Sequence, residues 1–477
     1  LEISETLGNH RAISKGGNLM RKGPKIVVIG AGSASFGLTN LGAIMRTEEL
    51  HGAQLYLCDL NQEGLGQITR LAERLNREWD AGMKIGQDTD CRKLLPGADF
   101  VIISVAIDRE ACWEKDHEIA LKYGIIHYAE NGGPGGFFHA ARNIALLMPV
   151  FRSIEELCPN ALVLNFTNPM TRICTAAARY TKLKMVGICH QIDFGYMMAG
   201  RILGRTLGLS INHDYCFRWN HDPEEHRIAD AAHERLDILA AGTNHFTWFL
   251  SIKDKQTGEE LLPLFKKLFL EQKEFEPYTR SIIETFDQCP TSGDAHFLEY
   301  MPFTSNRARG GWERYDIQMY PLKGQDLMRD QMWQDIADMA DGKKGIDGLK
   351  HVKTERAEII MASVWTDSHH YDYAVNLPNT QGLITNMDRD AVVEVPAVMG
   401  IHGIQGVAVG ELPKIPAVFC NRQKEIVDVA VKAMVEGDRK LALQALCLDP
   451  MIDDIEVAKH LLEDSLTAFA DYLPQFQ

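Results

Sequence analysis

The sequence predicts an α/β protein in which a doubly wound parallel sheet carries a mixed α+β second half. Three observations predict this. Short apolar, β-rich runs alternate with helical stretches from Lys25 to about residue 205, the pattern of repeated βαβ units. A glycine turn, Gly30-Ala31-Gly32-Ser33, joins the first such run to the first helix. After about residue 210 the alternation stops, and extended, partly antiparallel segments mix with helices.

The elements follow in order. KIVVIG (25–30) is a strand ending in glycine, and 35–50 reads as a helix. AQLYLCDL (53–60) is the second strand, followed by a helical stretch through Trp79. ADFVIISVA (98–106) is apolar almost throughout, as a strand covered on both faces must be. A charged helix spans about 109–123. ENGGPGGFF (130–138) is a glycine-rich turn in which 131–136 is expected not to be helical, and a helix covers about 139–157. ALVLNFTNP (161–169) and MVGICH (185–190) are two more buried strands, the first stopped by Pro169. Further on, 236–254 reads as extended, 259–287 and 323–340 as helical, 358–412 as mixed, and 422–437 and 453–472 as closing helices. The expected organisation is an N-terminal extension (1–24), disordered or left over from expression, a Rossmann-type dinucleotide-binding unit (25–207), and an α+β unit (208–477) for substrate and oligomerisation.

Composition narrows the function classes. The chain has 477 residues, 45% hydrophobic and 24% charged, which is enough for a sizeable core. Its net charge of −15, with no basic cluster, argues against nucleic acid. The 10 cysteines are scattered without a CxxC pair, which fits free core thiols in a reducing cytoplasm. No apolar run approaches the ~20 residues of a membrane span, and the first 23 residues lack the apolar core of a signal peptide.

Two constellations carry chemistry. In the first, Gly30 permits a tight turn and Gly32 lets a pyrophosphate approach the backbone, while Ser33 leads into the helix whose N–H groups face the phosphates. The third glycine of the dinucleotide fingerprint is replaced by Ser35. Asp59, ending the second strand, would accept from the ribose hydroxyls and repel a 2′-phosphate, favouring NAD over NADP. In the second, Cys189 and His190 end a parallel strand, where open sheets place ligands, and His245 follows the turn AGTN. A thiolate and an imidazole suit a borderline-soft divalent ion, with substrate oxygens completing its shell. Each alone has a plain alternative, a buried core thiol and a turn histidine.

These pieces, with GPGG (133–136), NFTNPM (165–170), CHQ (189–191), GTNHF (242–246), GDAHFLEYMPF (293–303) and 376–398, make the chain resemble glycoside hydrolase family 4 from Lys25 to its end. These are NAD- and manganese-dependent glycosidases related in fold to lactate and malate dehydrogenases. The resemblance implies NAD and Mn²⁺ or another divalent ion as cofactors, with Cys189 and His245 as metal ligands. It also implies Asn168 and His190 as substrate-binding residues, Asp294 as general base and Glu130 as the acid near the leaving group. The residues point to the α-glycosidase branch, with Cys-His-Gln closest to members acting on α-galacturonides, while α-galactosides and α-glucosides stay open. The residue after Cys-His varies with substrate in the family, which directs attention to Gln191. VAIDRE (105–110) departs from the family's usual Val-Gly-Gly. A homodimer or homotetramer is implied. The chemistry implied is C3 oxidation, C2 deprotonation, elimination, water addition and re-reduction, an exception to two-carboxylate hydrolysis. The competing readings are an NAD-dependent dehydrogenase of a sugar or 2-hydroxy acid, and a catalytically silent NAD-binding protein.

Overall fold

The computed structural model describes residues 23–128, 130–219 and 222–477; the expected extension (1–24) lies, up to residue 22, outside the described residues. Six parallel strands form the first half of one sheet. They are β1 (Lys25–Ile29), β2 (Gln54–Cys58), β3 (Lys84–Asp88), β4 (Phe100–Ile103), β5 (Leu162–Asn165) and β6 (Lys184–Gly187), in the order β3-β2-β1-β4-β5-β6. The winding direction changes between β1 and β4, which opens the crevice where such sheets bind ligands. Alternate side chains enter different cores: Val27, Ile29, Val101 and Ile103 lie in one, and Ile26, Val28, Phe100 and Ile102 in the other. A strand buried on both faces needs this continuous apolar run.

The second half extends the same sheet. Strands β7 (Leu236–Thr243), β8 (Phe246–Asp254), β9 (His370–Pro378), β10 (Val392–Gly400) and β11 (Gly403–Gly406) continue it from β6 in the order β9-β10-β7-β8, with β11 on β10. The join is antiparallel and narrow, a single register pair, Gly187↔Asn376. The chain also returns to the first half through helix Lys414–Glu436, whose Val427, Ala430, Val431 and Met434 pack in the same core as Val27 and Val101.

Several boundaries differ from expectation. The helix expected after the glycine turn begins inside it, at Gly133, and runs to Leu157. Pro134 sits in its first turn, where a missing N–H costs nothing, so residues 133–136 are helical after all. Strand β3 was not anticipated, because KIGQD is a half-exposed edge strand without an apolar run. The 259–287 stretch is two helices, Leu262–Glu271 and Pro277–Phe286. The expected 35–50 helix breaks at Thr39, and the first closing helix starts at Lys414 rather than 422.

Candidate active site

The glycine turn hangs from the end of β2. Gly30 N–H and Ala31 N–H both donate to the Cys58 carbonyl (2.9 and 3.1 Å), and Gly32 N–H donates to Asp59 Oδ2 (2.9 Å). Gly30 has φ +93°, and a Cβ there would lie 2.0 Å from the Ser104 carbonyl oxygen, so no other residue fits. Ser33 Oγ accepts from Phe36 N–H and starts the next helix. Asp59 Oδ1 takes Asn61 N–H at 2.8 Å, and Leu60 beside it is 78% exposed. A carboxylate with spare lone pairs next to an exposed apolar side chain suits a ribose and its base.

Cys189 follows β6 and His245 occupies the β7–β8 turn, and the sheet extension brings them together: Cys189 Sγ lies 3.1 Å from His245 Nε2. A tetrahedral cation holding a sulfur at about 2.3 Å and a nitrogen at about 2.05 Å sets them about 3.6 Å apart, so the donor pair fits a metal ion once the two separate by about half an ångström. Among the described residues, no group of three or more His, Cys, Asp and Glu forms a metal-holding cluster. Burial, with the nearby Glu355 and Glu394 carboxylates, raises the Cys189 thiol. Burial and the neighbouring His296 lower the His245 imidazole, which stays neutral as a metal ligand must.

A second layer holds each donor. The Asn131 amide nitrogen lies 2.6 Å from His245 Nδ1; exchanging the amide's two ends would make it an acceptor and leave the Nε2 lone pair for a metal. His245 itself has φ +58°, and Asn244 beside it donates to the buried Glu394 (2.6 Å), which also accepts from Asn376 (2.9 Å). Arg356, paired with Asp372 through two bonds (2.8 and 3.1 Å), donates to the Cys189 carbonyl at 3.3 Å. Gln191 is buried and bonded to Thr247 and Thr291, so its amide supports this layer instead of facing solvent.

Glu130 and Asn168 meet directly, the Asn168 amide donating to Glu130 Oε1. Burial raises the Glu130 carboxyl above its ordinary range, with Glu299 adding to the effect and His296 opposing it. Glu130 opens onto a chamber walled by Trp113, Tyr128, Trp219, His296 and Tyr320. His296 stands 4.6 Å, ring to ring, from His245 and bonds Glu299 Oε1 (3.1 Å). Glu299 is the hub behind the glycine turn: its Oε2 accepts Asn131 N–H (2.6 Å) and Gly132 N–H (3.0 Å). A Cβ at Gly132 would come within 1.8 Å of the Glu299 carbonyl oxygen.

Asp294 is placed differently. Its carboxylate accepts Tyr278 N–H (2.9 Å) and Thr279 N–H (2.6 Å), holding the start of helix Pro277–Phe286, and its own N–H donates to Glu276 Oε2. It lines a neighbouring polar chamber with Glu276, Arg218 and Asp316, separate from that of Glu130. Burial pushes its carboxyl up to about 6, against the pull of the two N–H groups. His190 is exposed, 2.5 Å from Glu355, whose carboxylate holds its imidazolium up to about 9. Asn131, His296, Glu299 and the aromatic wall were not singled out from the sequence. The HxxE spacing of His296 and Glu299, one helical turn, was the one available signal.

The family described as "Family 4 glycosyl hydrolase" matches residues 25–202, and the family's C-terminal domain matches 240–452. The alpha-glucosidase of Erwinia rhapontici is 29% identical over 92% of this chain and 96% of its own. The alpha-galacturonidase of Thermoanaerobacter italicus is 25% identical over 95% and 98%. The crystal structure of a 6-phospho-alpha-glucosidase from gut microorganisms, in complex with NAD and Mn²⁺, shares the fold with TM-score 0.75 at 21% identity, covering 96% of this chain and 100% of that one.

Proposed function

We propose, from the premise that the chain belongs to the family 4 glycosyl hydrolases, that it cleaves α-glycosides by redox-assisted elimination with NAD⁺ and a divalent ion such as Mn²⁺. The observation that carries this is the 3.1 Å approach of Cys189 Sγ to His245 Nε2 at the carboxyl edge of a sheet whose first turn suits a dinucleotide. Family membership sets aside the dehydrogenase and silent-binder readings. When bound, NAD⁺ supplies reversible hydride transfer at C3 of the sugar, and the metal supplies polarisation of the C2 and C3 oxygens.

The chain's own residues do the rest. Cys189 and His245 would hold the metal, which would supply polarisation of the sugar's oxygens. Asn168, bonded to Glu130, orients the sugar beside the crevice. Asp294 takes the C2 proton from its chamber, which adjoins the aromatic one across Ala295 and His296. Glu130, whose carboxyl burial raises above its ordinary range, serves as the acid at the glycosidic oxygen. The indole and phenol rings of Trp113, Trp219 and Tyr320 stack on the sugar and its leaving group and exclude water.

The exposed His190 imidazolium suits a uronide carboxylate, so an α-galacturonide stands beside α-galactosides and α-glucosides as the glycoside to test. We take the enzyme to work as a homodimer or homotetramer in the cytoplasm; among the described residues, no helix is long and apolar enough to cross a membrane. A panel of p-nitrophenyl α- and β-glycosides, uronides included, with NAD⁺ and Mn²⁺ in D₂O tests the proposal. It expects cleavage of an α-glycoside and deuterium at C2 of the released sugar. Cleavage without C2 label would refute the elimination.

A further inference from the structure

One arginine in the core lacks the partner that its burial demands. Arg172 is 3% exposed, and a guanidinium keeps its charge inside a protein. Arginines are almost never buried unless paired, and two others here obey the rule. Arg142 holds Asp116 and Arg356 holds Asp372, each through two bonds. Among the described residues no carboxylate pairs with Arg172, and its Nη1 is buried without a hydrogen-bond partner. Asp449 is the strongest opposing charge near it, yet both Asp449 oxygens are engaged, one by Gly133 N–H (3.0 Å) and one by Met451 N–H (2.9 Å).

Arg172 lines a cavity with Asn131, Thr171, Thr243, Tyr300 and Gln423, and no carboxylate is among the residues of its wall. The wall is rich in donors. The two threonines bring hydroxyls, and the Gln423 amide spends one N–H on the Tyr300 carbonyl (3.3 Å) and keeps a second. Helix Met170–Tyr180, eleven residues long, starts at this cavity behind Pro169, whose side chain gives it no cap. Met170 N–H goes to Asn168 Oδ1 (3.2 Å) and Ile173 N–H to the Pro169 carbonyl (3.0 Å), and the residues between them, Thr171 and Arg172, belong to the cavity wall. The positive end of the helix therefore adds to the guanidinium.

We propose that this cavity binds one small monovalent anion of the halide class, chloride, which neutralises Arg172. One guanidinium calls for one negative charge. The rest of the wall, Pro169 and Val427, is apolar, and dehydrating a single charge costs far less than dehydrating a divalent phosphate or sulfate. The bound anion ties the start of helix Met170–Tyr180 to the Tyr300 segment and to Gln423 on helix Lys414–Glu436. Asn131 stands on the same wall and meets His245 Nδ1 from its other side, so the anion sits behind the sulfur–nitrogen pair and shares no ligand with it. The site is independent of the glycosidase reading.

The test melts the full chain in sodium gluconate, whose anion is too large for the cavity, and then titrates in chloride or bromide at constant ionic strength. The wild type should gain about 1–2 °C in Tm for each tenfold rise in halide above its dissociation constant. Arg172→Met should melt no lower than the wild type in gluconate, because it removes an uncompensated buried charge, and should ignore halide. Sulfate, which acts by exclusion from the surface, should raise both proteins equally. Crystals of the wild type grown with bromide should show an anomalous peak against Arg172 Nη1, and this measurement decides alone if the variant does not fold. A water at that place would overturn the proposal, as would equal halide responses in the two proteins. So would a variant that melts lower in gluconate, or a bromide peak without any halide-dependent Tm, which would mark binding at crystal concentration only.

Discussion

Glu299 provides the sharpest structural prediction, because two substitutions there separate charge from shape. The side chain is 1% exposed, and one oxygen accepts both Asn131 N–H and Gly132 N–H. Glu299→Ala strands two buried donors, each costing about 1–3 kcal/mol, so the glycine turn loses about 2–6 kcal/mol. Glu299→Gln keeps an oxygen for both donors and turns an NH₂ toward His296 Nδ1. It forfeits the difference between charged and neutral acceptors, about 2 kcal/mol in all. Hydrogen exchange at the Asn131 and Gly132 amides reads this directly, at tenfold per ~1.4 kcal/mol. Exchange should accelerate by roughly 30-fold to 10⁴-fold in the alanine variant and by about 30-fold at most in the glutamine variant. Equal acceleration in both, or none in the alanine variant, would refute the role of Glu299 as acceptor.

Other outcomes follow from the same contacts. Asn131→Ala removes the group that orients His245 and should weaken Mn²⁺ binding about 10–100-fold, measured by titration calorimetry, with NAD⁺ affinity unchanged. Because burial raises the Cys189 thiol and lowers the His245 imidazole, metal binding should release one proton, from sulfur alone. Calorimetry in buffers of different ionisation enthalpy counts it, and a count of zero would contradict thiolate ligation. If Asp294 is the base, as proposed, it acts deprotonated, and with its carboxyl raised to about 6, kcat/KM on an active glycoside should fall tenfold per pH unit below about 6. Asp294→Asn should abolish that acid limb along with most of the activity.

How much of this was legible in the sequence depended on how local the causes were. Strands β1, β4 and β5 were readable because burial on both faces forces a continuous apolar run. The half-exposed edge strand β3 carries no such signal. Cys189 and His245 were legible through the motifs around them, since nothing in the chain between them encodes their meeting. That meeting depends on β9 crossing from Asn376 to Gly187 and on Glu394 gripping Asn244 and Asn376, which are contacts between distant segments. Glu299 reaches Asn131 for the same kind of reason. The glycines of 132–136 favour a turn by composition, but Pro134 in the first helical turn and the close approach to Glu299 made them a helix start. Asp294 was found by its motif, yet its hold on helix Pro277–Phe286 and its separate chamber were invisible until the chain was folded.

The account stands on one cation shared by a sulfur and a nitrogen. Titrating the protein with Co²⁺ tests it, because a cobalt–thiolate bond gives a charge-transfer absorption that oxygen and nitrogen ligands do not. The wild type should develop this band at one equivalent and lose it on addition of excess chelator. Cys189→Ser should show no band, and His245→Ala a weakened affinity for the metal. A band that persists in Cys189→Ser, or none in the wild type at saturation, would contradict the metal site.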